Sequence, residues 1–144
     1  MSFLKEMDIA ASGMTAQRLR MDVIAENIAN IETTRNADGE PYRRRFTVMS
    51  ENEQPYDFAS YYDRALGIGD DRGVKVVQIE EDDAPFKLDY NPSHPDANEE
   101  GYVEMPNVDL AVEMVDMIAA TRSYEANVTA SNAFKTMALK ALEI

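Results

Sequence analysis

The chain has no cysteine and one histidine among its 144 residues. The first absence excludes a disulfide framework and any thiolate metal site. The second leaves His94, set between Pro92 and Pro95, without a second histidine, a nucleophile elbow or a recognisable acid pair to complete a catalytic constellation. It reads as a loop residue, and neither an enzyme nor a cofactor is expected. Long apolar runs are missing too. The opening MSFLKEMDIA contains acids, so it is neither a secretory signal peptide nor a membrane span, and export would need a route without a cleaved signal. Bases are scarce in the middle: residues 51–107 hold fifteen acids and four bases, net −11 of the chain's −13. Phosphate binding needs a basic face, so nucleic acid is a poor partner. The ends differ, with seven acids and seven bases over residues 1–50 and five and three over 108–144, so they can approach copies of themselves without strong repulsion.

What is present in quantity is helical hydrophobic spacing at both ends. Phe3, Met7, Ala10, Met14, Gln17, Met21, Ile24, Ile28 and Ile31 step four, three, four, three, a mean repeat of 3.5 that keeps one seam of a helix facing a partner helix. Leu110, Met114, Met117, Thr121, Tyr124, Val128, Ser131, Phe134, Ala138 and Leu142 make a second seam with a one-residue slip between Ser131 and Phe134. The first helix is expected over about Ser2 to Ile31, capped at Ser2 and stopped by Thr33, Thr34, Asn36, Asp38, Gly39 and Pro41. The second enters at Pro106 and Asn107, with Asn107 as the cap and Asp109 in the first turn, and runs to the chain end. Val112, Val115, Ile118 and Ala119 are apolar but off the second seam, so this helix is greasy around much of its circumference. Burying one seam against a single partner offsets only part of the ordering entropy, and several neighbours are expected. Methionines at 7, 14, 21, 114 and 117 suit contacts that differ between neighbours, or simply fill a core.

Between the helices three stretches look extended: Phe46 to Met49, Val74 to Ile79, and Phe86 to Tyr90, whose alternation predicts a half-buried strand. Val74 and Val76 share one face and Val77 and Ile79 the other, which fits a strand buried on both faces or a bulge. Gly67, Gly69, Gly73, Pro85, Pro92 and Pro95 divide this region into loops. Asp96, Asn98, Glu100 and Gly101 imitate the start of a calcium loop, but its twelfth position is Asn107, not the bidentate glutamate, so the segment reads as a turn-rich lead into the second helix. The fold class is therefore α+β: a helical unit of residues 1–34 and 107–144, coiled-coil-like, enclosing an acidic, β-rich middle of residues 35–106.

Four segments narrow the reading: VIAENIANIETT from Val23, DGEPYRRR from Asp38, HPDANEEGYVEMPNVDL from His94, and EMVDMIAATRSYEANVTASNAFKTMALKAL from Glu113. In content, order and spacing they resemble the bacterial flagellar rod and hook family. One common variant of that family has asparagine where this chain has Glu26, and no pattern is recognisable over about 51–83. The resemblance implies a structural subunit of the proximal rod, exported unfolded through the flagellar type III apparatus and polymerised in the periplasm. Its terminal helices would pack around the export channel of a torque-transmitting shaft. The partners implied are copies of itself, other proximal rod proteins, the adapter protein FliE and the distal rod.

On that reading Phe3, Met7, Ala10, Met14, Met21, Ile24, Ile28 and Ile31, with Leu110, Met114, Met117, Tyr124, Val128 and Leu142, are the candidate inter-subunit packing residues. Asn27, Asn30, Thr33, Asn107 and Asn127 are the polar positions of the family motifs; the amides could bond adjacent subunits or merely reflect helix-end preference. Arg43, Arg44 and Arg45, the one basic run, could dock another subunit's acidic middle or face water from alternate sides of a strand. The competing class is a cytoplasmic helical hairpin that binds a client through its methionine face, in the manner of a chaperone.

Overall fold

The computed structural model describes residues 3–36, 39–52, 62 and 73–143. Six elements occur among them in chain order: α1 (Phe3–Ala29), β1 (Arg45–Glu51), β2 (Val74–Glu81), β3 (Lys87–Tyr90), β4 (Tyr102–Met105) and α2 (Leu110–Leu142). The Ser2 cap, the Phe3 side chain and the loop glycines Gly67 and Gly69 lie outside what is described.

At ~1.5 Å per residue α1 is about 40 Å long and α2 about 50 Å. They run antiparallel against each other, as Asn27 to Glu113, Arg20 to Asp116 and Met21 to Thr121 contacts attest. α1 stops at Ala29, two residues before the expected end, because Asn30 bends the chain back on itself. Its Nδ2 donates to the Glu26 carbonyl at 2.9 Å, and its Oδ1 accepts the Thr33 hydroxyl at 3.2 Å. The Tyr42 N–H then closes the following loop on the Thr33 carbonyl at 3.1 Å, with Gly39 at φ 84° supplying the turn.

The entry to α2 corrects one expectation. Asp109, not Asn107, is the cap: its carboxylate accepts from the backbone N–H of Ala111 (2.9 Å) and Val112 (3.4 Å). Those two donors, aided by the Lys87 ammonium, hold its pKa below the usual aspartate value. Asn107 lies outside the helix and ties three segments together: its Oδ1 accepts from the Arg44 N–H at 2.8 Å and its Nδ2 donates to the carbonyls of Asp82 and Ala84.

The middle forms two antiparallel pairs, β1 with β2 and β3 with β4. Val48 faces Gln78 but Met49 faces Val76, so Val77 is the extra residue of a bulge, and the double-faced pattern of this strand is explained. Ser12 of α1 pins this pair, accepting from the Val74 N–H at 3.1 Å while donating to the Ile9 carbonyl. Gly73 makes room for it, since a Cβ there would overlap the Ser12 hydroxyl.

The third strand departs from expectation. All of β3 is exposed, Leu88 and Tyr90 at 64% each. Register explains this: Asp89 pairs with Val103 and Lys87 with Met105, so the face turned inward draws its apolar groups from β4, and Leu88 and Tyr90 point away. β4, which no alternation predicted, supplies the buried Val103. Most of the core lies at this junction: Val23, Ile24, Tyr42, Val103, Val108 and Ala120 are buried, and farther along α1, among the described side chains, Ala10 and Ala16 alone join them.

Candidate assembly surface

At the junction the interior is polar as well as apolar. Asn27 is fully buried, and its amide uses its whole hydrogen-bonding capacity. Nδ2 donates to the Arg45 carbonyl (2.8 Å) and to Glu113 Oε2 (3.0 Å); Oδ1 accepts from the Tyr42 hydroxyl (2.9 Å) and the Arg45 N–H (2.9 Å). The side chain thus pairs with both backbone groups of the first residue of β1, as a neighbouring strand would. Glu113 is equally buried and receives the Arg44 Nε–H at 2.6 Å. A carboxylate taken out of water requires such a partner, and Arg44 reaches Asp116 (3.5 Å) and Asp82 (3.7 Å) besides. Burial, with Glu26 adding negative charge, pushes the Tyr42 hydroxyl up to about 12. The cluster locks the end of α1, the start of α2 and the loop into β1 in one register.

Farther along the seam the helices come closest at Gly13 and Asn127. A Cβ on Gly13 would lie 2.8 Å from the Asn127 amide nitrogen, and that amide donates to the Ser123 carbonyl of its own helix. Asn127 is therefore turned toward α1. The chain itself buries Ala10 and Ile24, which leaves them almost no surface for a neighbouring subunit. Met7, Met14, Met21, Ile28, Ile31, Met117, Tyr124 and Val128 are half-buried, with the Thr121 hydroxyl 3.5 Å from the Met21 sulfur.

The first turns of α2 depart from the expected seam. Glu113 occupies the inward position, so Leu110 and Met114 face away. They join Val112, Val115 and Ile118, exposed by 52, 67 and 60%, in an apolar face that carries no exposed charge until Arg122. Leu142, at the far end, is 83% exposed. Contiguous apolar surface of this kind marks an interaction site in a folded protein.

The basic run behaves differently. Arg43 lies over the Phe86 ring at 4.4 Å, Arg44 holds Glu113, and Arg45 pairs with Glu26 and Glu81 at 3.2 Å each. All three guanidinium groups already have partners within the chain. Asp96 and Asn98 are engaged in local structure: Asp96 accepts from the Thr34 hydroxyl at 2.9 Å, and Asn98 Oδ1 accepts from the N–H groups of Glu100 and Tyr102. His94 Nδ1 accepts the Asp96 N–H at 3.1 Å. Sequence reasoning missed Tyr42 and Glu113. The available signal was an acid at position 113, in helical phase with Ala120 and Tyr124, inside the otherwise apolar LAVEMV.

Comparison with known proteins matches both ends of this arrangement. Residues 7–35 fit the family described as "Flagella basal body rod protein", and residues 99–144 that described as "Flagellar basal body rod FlgEFG protein C-terminal". Relatives named flagellar basal-body rod protein FlgC resemble the chain over its whole length. That of Bacillus subtilis strain 168 is 49% identical, covering 100% of this chain and 99% of the relative. Those of Borreliella burgdorferi and Salmonella typhimurium are 46% and 41% identical, each covering 100% of this chain and 98% of the relative.

Proposed function

This chain belongs to the FlgC family of flagellar basal-body rod proteins, structural and not enzymatic, and from that premise we propose that it is a proximal-rod subunit that assembles through its terminal helices around the export channel. The observation that carries the reading is the outward face of α2, where Leu110, Val112, Met114, Val115 and Ile118 stand exposed on a helix whose other side is already packed. Such a face is costly in water and becomes favourable when neighbouring subunits cover it. The junction cluster supports transmission of torque, because it ties both helices to the β-strands through buried, charge-assisted bonds that do not slide. Copies of the chain, other proximal rod proteins, the adapter FliE and the distal rod are the partners. The route is the flagellar export apparatus into the periplasm, without a cleaved signal.

Hydrogen exchange on the purified chain and on isolated basal bodies tests this. In the purified chain, amides at the far end of the helix pair, about residues 5–9 and 130–142, should exchange fast, since no residue there is fully buried. In basal bodies the same amides should be protected. Absence of the chain from basal bodies, or equal protection in both samples, would refute the reading.

A further inference from the structure

The pair of β3 and β4 turns an apolar face to water. Register fixes its members: Leu88 stands opposite Glu104 and Tyr90 opposite Tyr102, so all four side chains share one side of the pair. Leu88 and Tyr90 are the more exposed, and Tyr102 still shows 39% of its surface. The two rings meet edge to face with centroids 5.2 Å apart. Their surroundings hold them in place. A Cβ on Gly101 would lie 3.0 Å from the Tyr90 ring and 3.3 Å from Pro92, and the turn carrying Gly101 is fastened by Asn98, whose Oδ1 accepts from the N–H groups of Glu100 (3.0 Å) and Tyr102 (2.9 Å).

The charge around this face has one sign. From Leu88 to Glu104 the chain holds five acids and neither lysine nor arginine. Glu104 lies on the face itself, and Glu99 and Glu100 stand in the turn that leads into Tyr102. All three are exposed, and none is ion-paired among the described residues. Lys87, next in sequence, is on the other side of the strand and engaged with the Val108 carbonyl at 2.7 Å and the Asp109 carboxylate at 3.8 Å. Unanswered carboxylates beside tyrosine rings make a cation the matching ligand, since a guanidinium or ammonium group is drawn both by the acids and by the negative face of an aromatic ring. A second copy does not supply that chemistry: it brings a net charge of −13 and the same acidic face.

We propose that this face docks a basic segment of a different protein, with an arginine or lysine side chain laid against the tyrosine pair beside Glu104 and an aliphatic side chain covering Leu88. The contact goes beyond the rod-subunit reading and uses none of the exposed side chains of α2. Its apolar part supplies area and its acids supply selection, because a partner of negative charge is repelled before the rings are reached.

Titration of the purified full-length chain with a short peptide of leucine and arginine, followed by NMR, tests the contact, with the peptide carrying glutamate for arginine as the control. The arginine peptide should shift the Tyr90 and Tyr102 ring resonances and the Glu104 amide to saturation, and the glutamate peptide should leave them unmoved. Replacing Leu88→Ser together with Tyr90→Ser should weaken binding about tenfold, while urea unfolding stays that of the parent because both side chains are exposed. Glu104→Lys keeps both rings and should also weaken binding, and it decides the matter if the double variant does not fold. No binding, equal binding of the glutamate peptide, or binding that both variants leave intact overturns the proposal. In cells, a photoreactive cross-linker at Leu88 should join the chain to a stretch of another protein that carries lysine or arginine. An adduct with a second copy of the chain, or with a stretch lacking both residues, overturns it too.

Discussion

The two sides of α2 contrast, over its first turns, in a way that departs from the usual amphipathic helix. The side packed against α1 carries Glu113, Thr121 and Asn127 beside the half-buried Met117, Tyr124 and Val128, while the side facing away carries Leu110, Val112, Val115 and Ile118. A helix normally buries its apolar stripe and shows water its polar one. Here hydrogen bonds and close approach hold the inward side in register, and the hydrophobic surface is left for contacts outside the chain. Stability of the subunit and its capacity to assemble are thereby placed on different residues of one helix, and substitution should separate them.

The inward side should give the largest losses. Glu113→Ala takes one partner from the buried Asn27 amide and leaves the Arg44 guanidinium only its longer contacts to Asp116 and Asp82, and a buried group left unsatisfied in this way costs about 1 to 3 kcal/mol. Urea unfolding should show that loss, and a double cycle with Asn27→Ala should be strongly non-additive, because the two side chains share a hydrogen bond. Additive losses would mean that Asn27 and Glu113 act independently, and the idea of one locking cluster would fall.

Alkaline pH probes the same cluster more gently. The Tyr42 hydroxyl donates to Asn27 Oδ1, and its pKa is raised from 10.0 to about 12. The native state thus holds this proton more tightly than the unfolded chain does. The stabilisation is complete below pH 10 and is lost as pH rises through 12. Tyr42→Phe should flatten that part of the pH profile, at a cost near neutrality of about 1 kcal/mol for the missing hydrogen bond. An unchanged slope between pH 10 and 12 would detach Tyr42 from the cluster.

Gly13 tests the close approach farther along. Alanine is the better helix former by roughly 1 kcal/mol, yet its Cβ would sit 2.8 Å from the Asn127 amide. Gly13→Ala should therefore destabilise by about 1 kcal/mol, and adding Asn127→Ala should reverse the sign by removing the obstruction. If Gly13→Ala alone raises the melting temperature, the helices do not approach this closely.

The contrast also explains what the sequence could and could not disclose. Both helices and the strands near Phe46 and Val74 were legible, because period and turn residues are local signals, whereas the pattern of the second strand fitted a bulge or burial on both faces and only its register with β1 decides for the bulge. The inward side of α2 near its start was not. Apolar spacing nominated Leu110 and Met114, but the position is taken by Glu113, whose burial depends on Arg44 arriving from a loop 69 residues away. Leu88 and Tyr90 misled for a related reason: alternation identifies two faces of a strand, and only pairing with β4 decides which one turns inward. The motif asparagines were visible as a pattern, whereas the pairing of Asn27 with the Arg45 backbone is a tertiary fact.

The outward side should give the smallest change in stability and the sharpest change in behaviour. Val115→Asp places a charge on a residue that is already 67% exposed, so the unfolding free energy of the subunit should move by no more than about 0.5 kcal/mol. In an assembled rod the same carboxylate would be driven into an apolar contact without a partner, and burying an unpaired charge costs far more than that contact returns. Cells relying on this variant should be non-motile and their basal bodies should lack the chain, although the purified subunit unfolds like the parent. Normal swimming would show that the outward face is not covered in the rod, and the division of labour between the two sides of α2 would have to be abandoned.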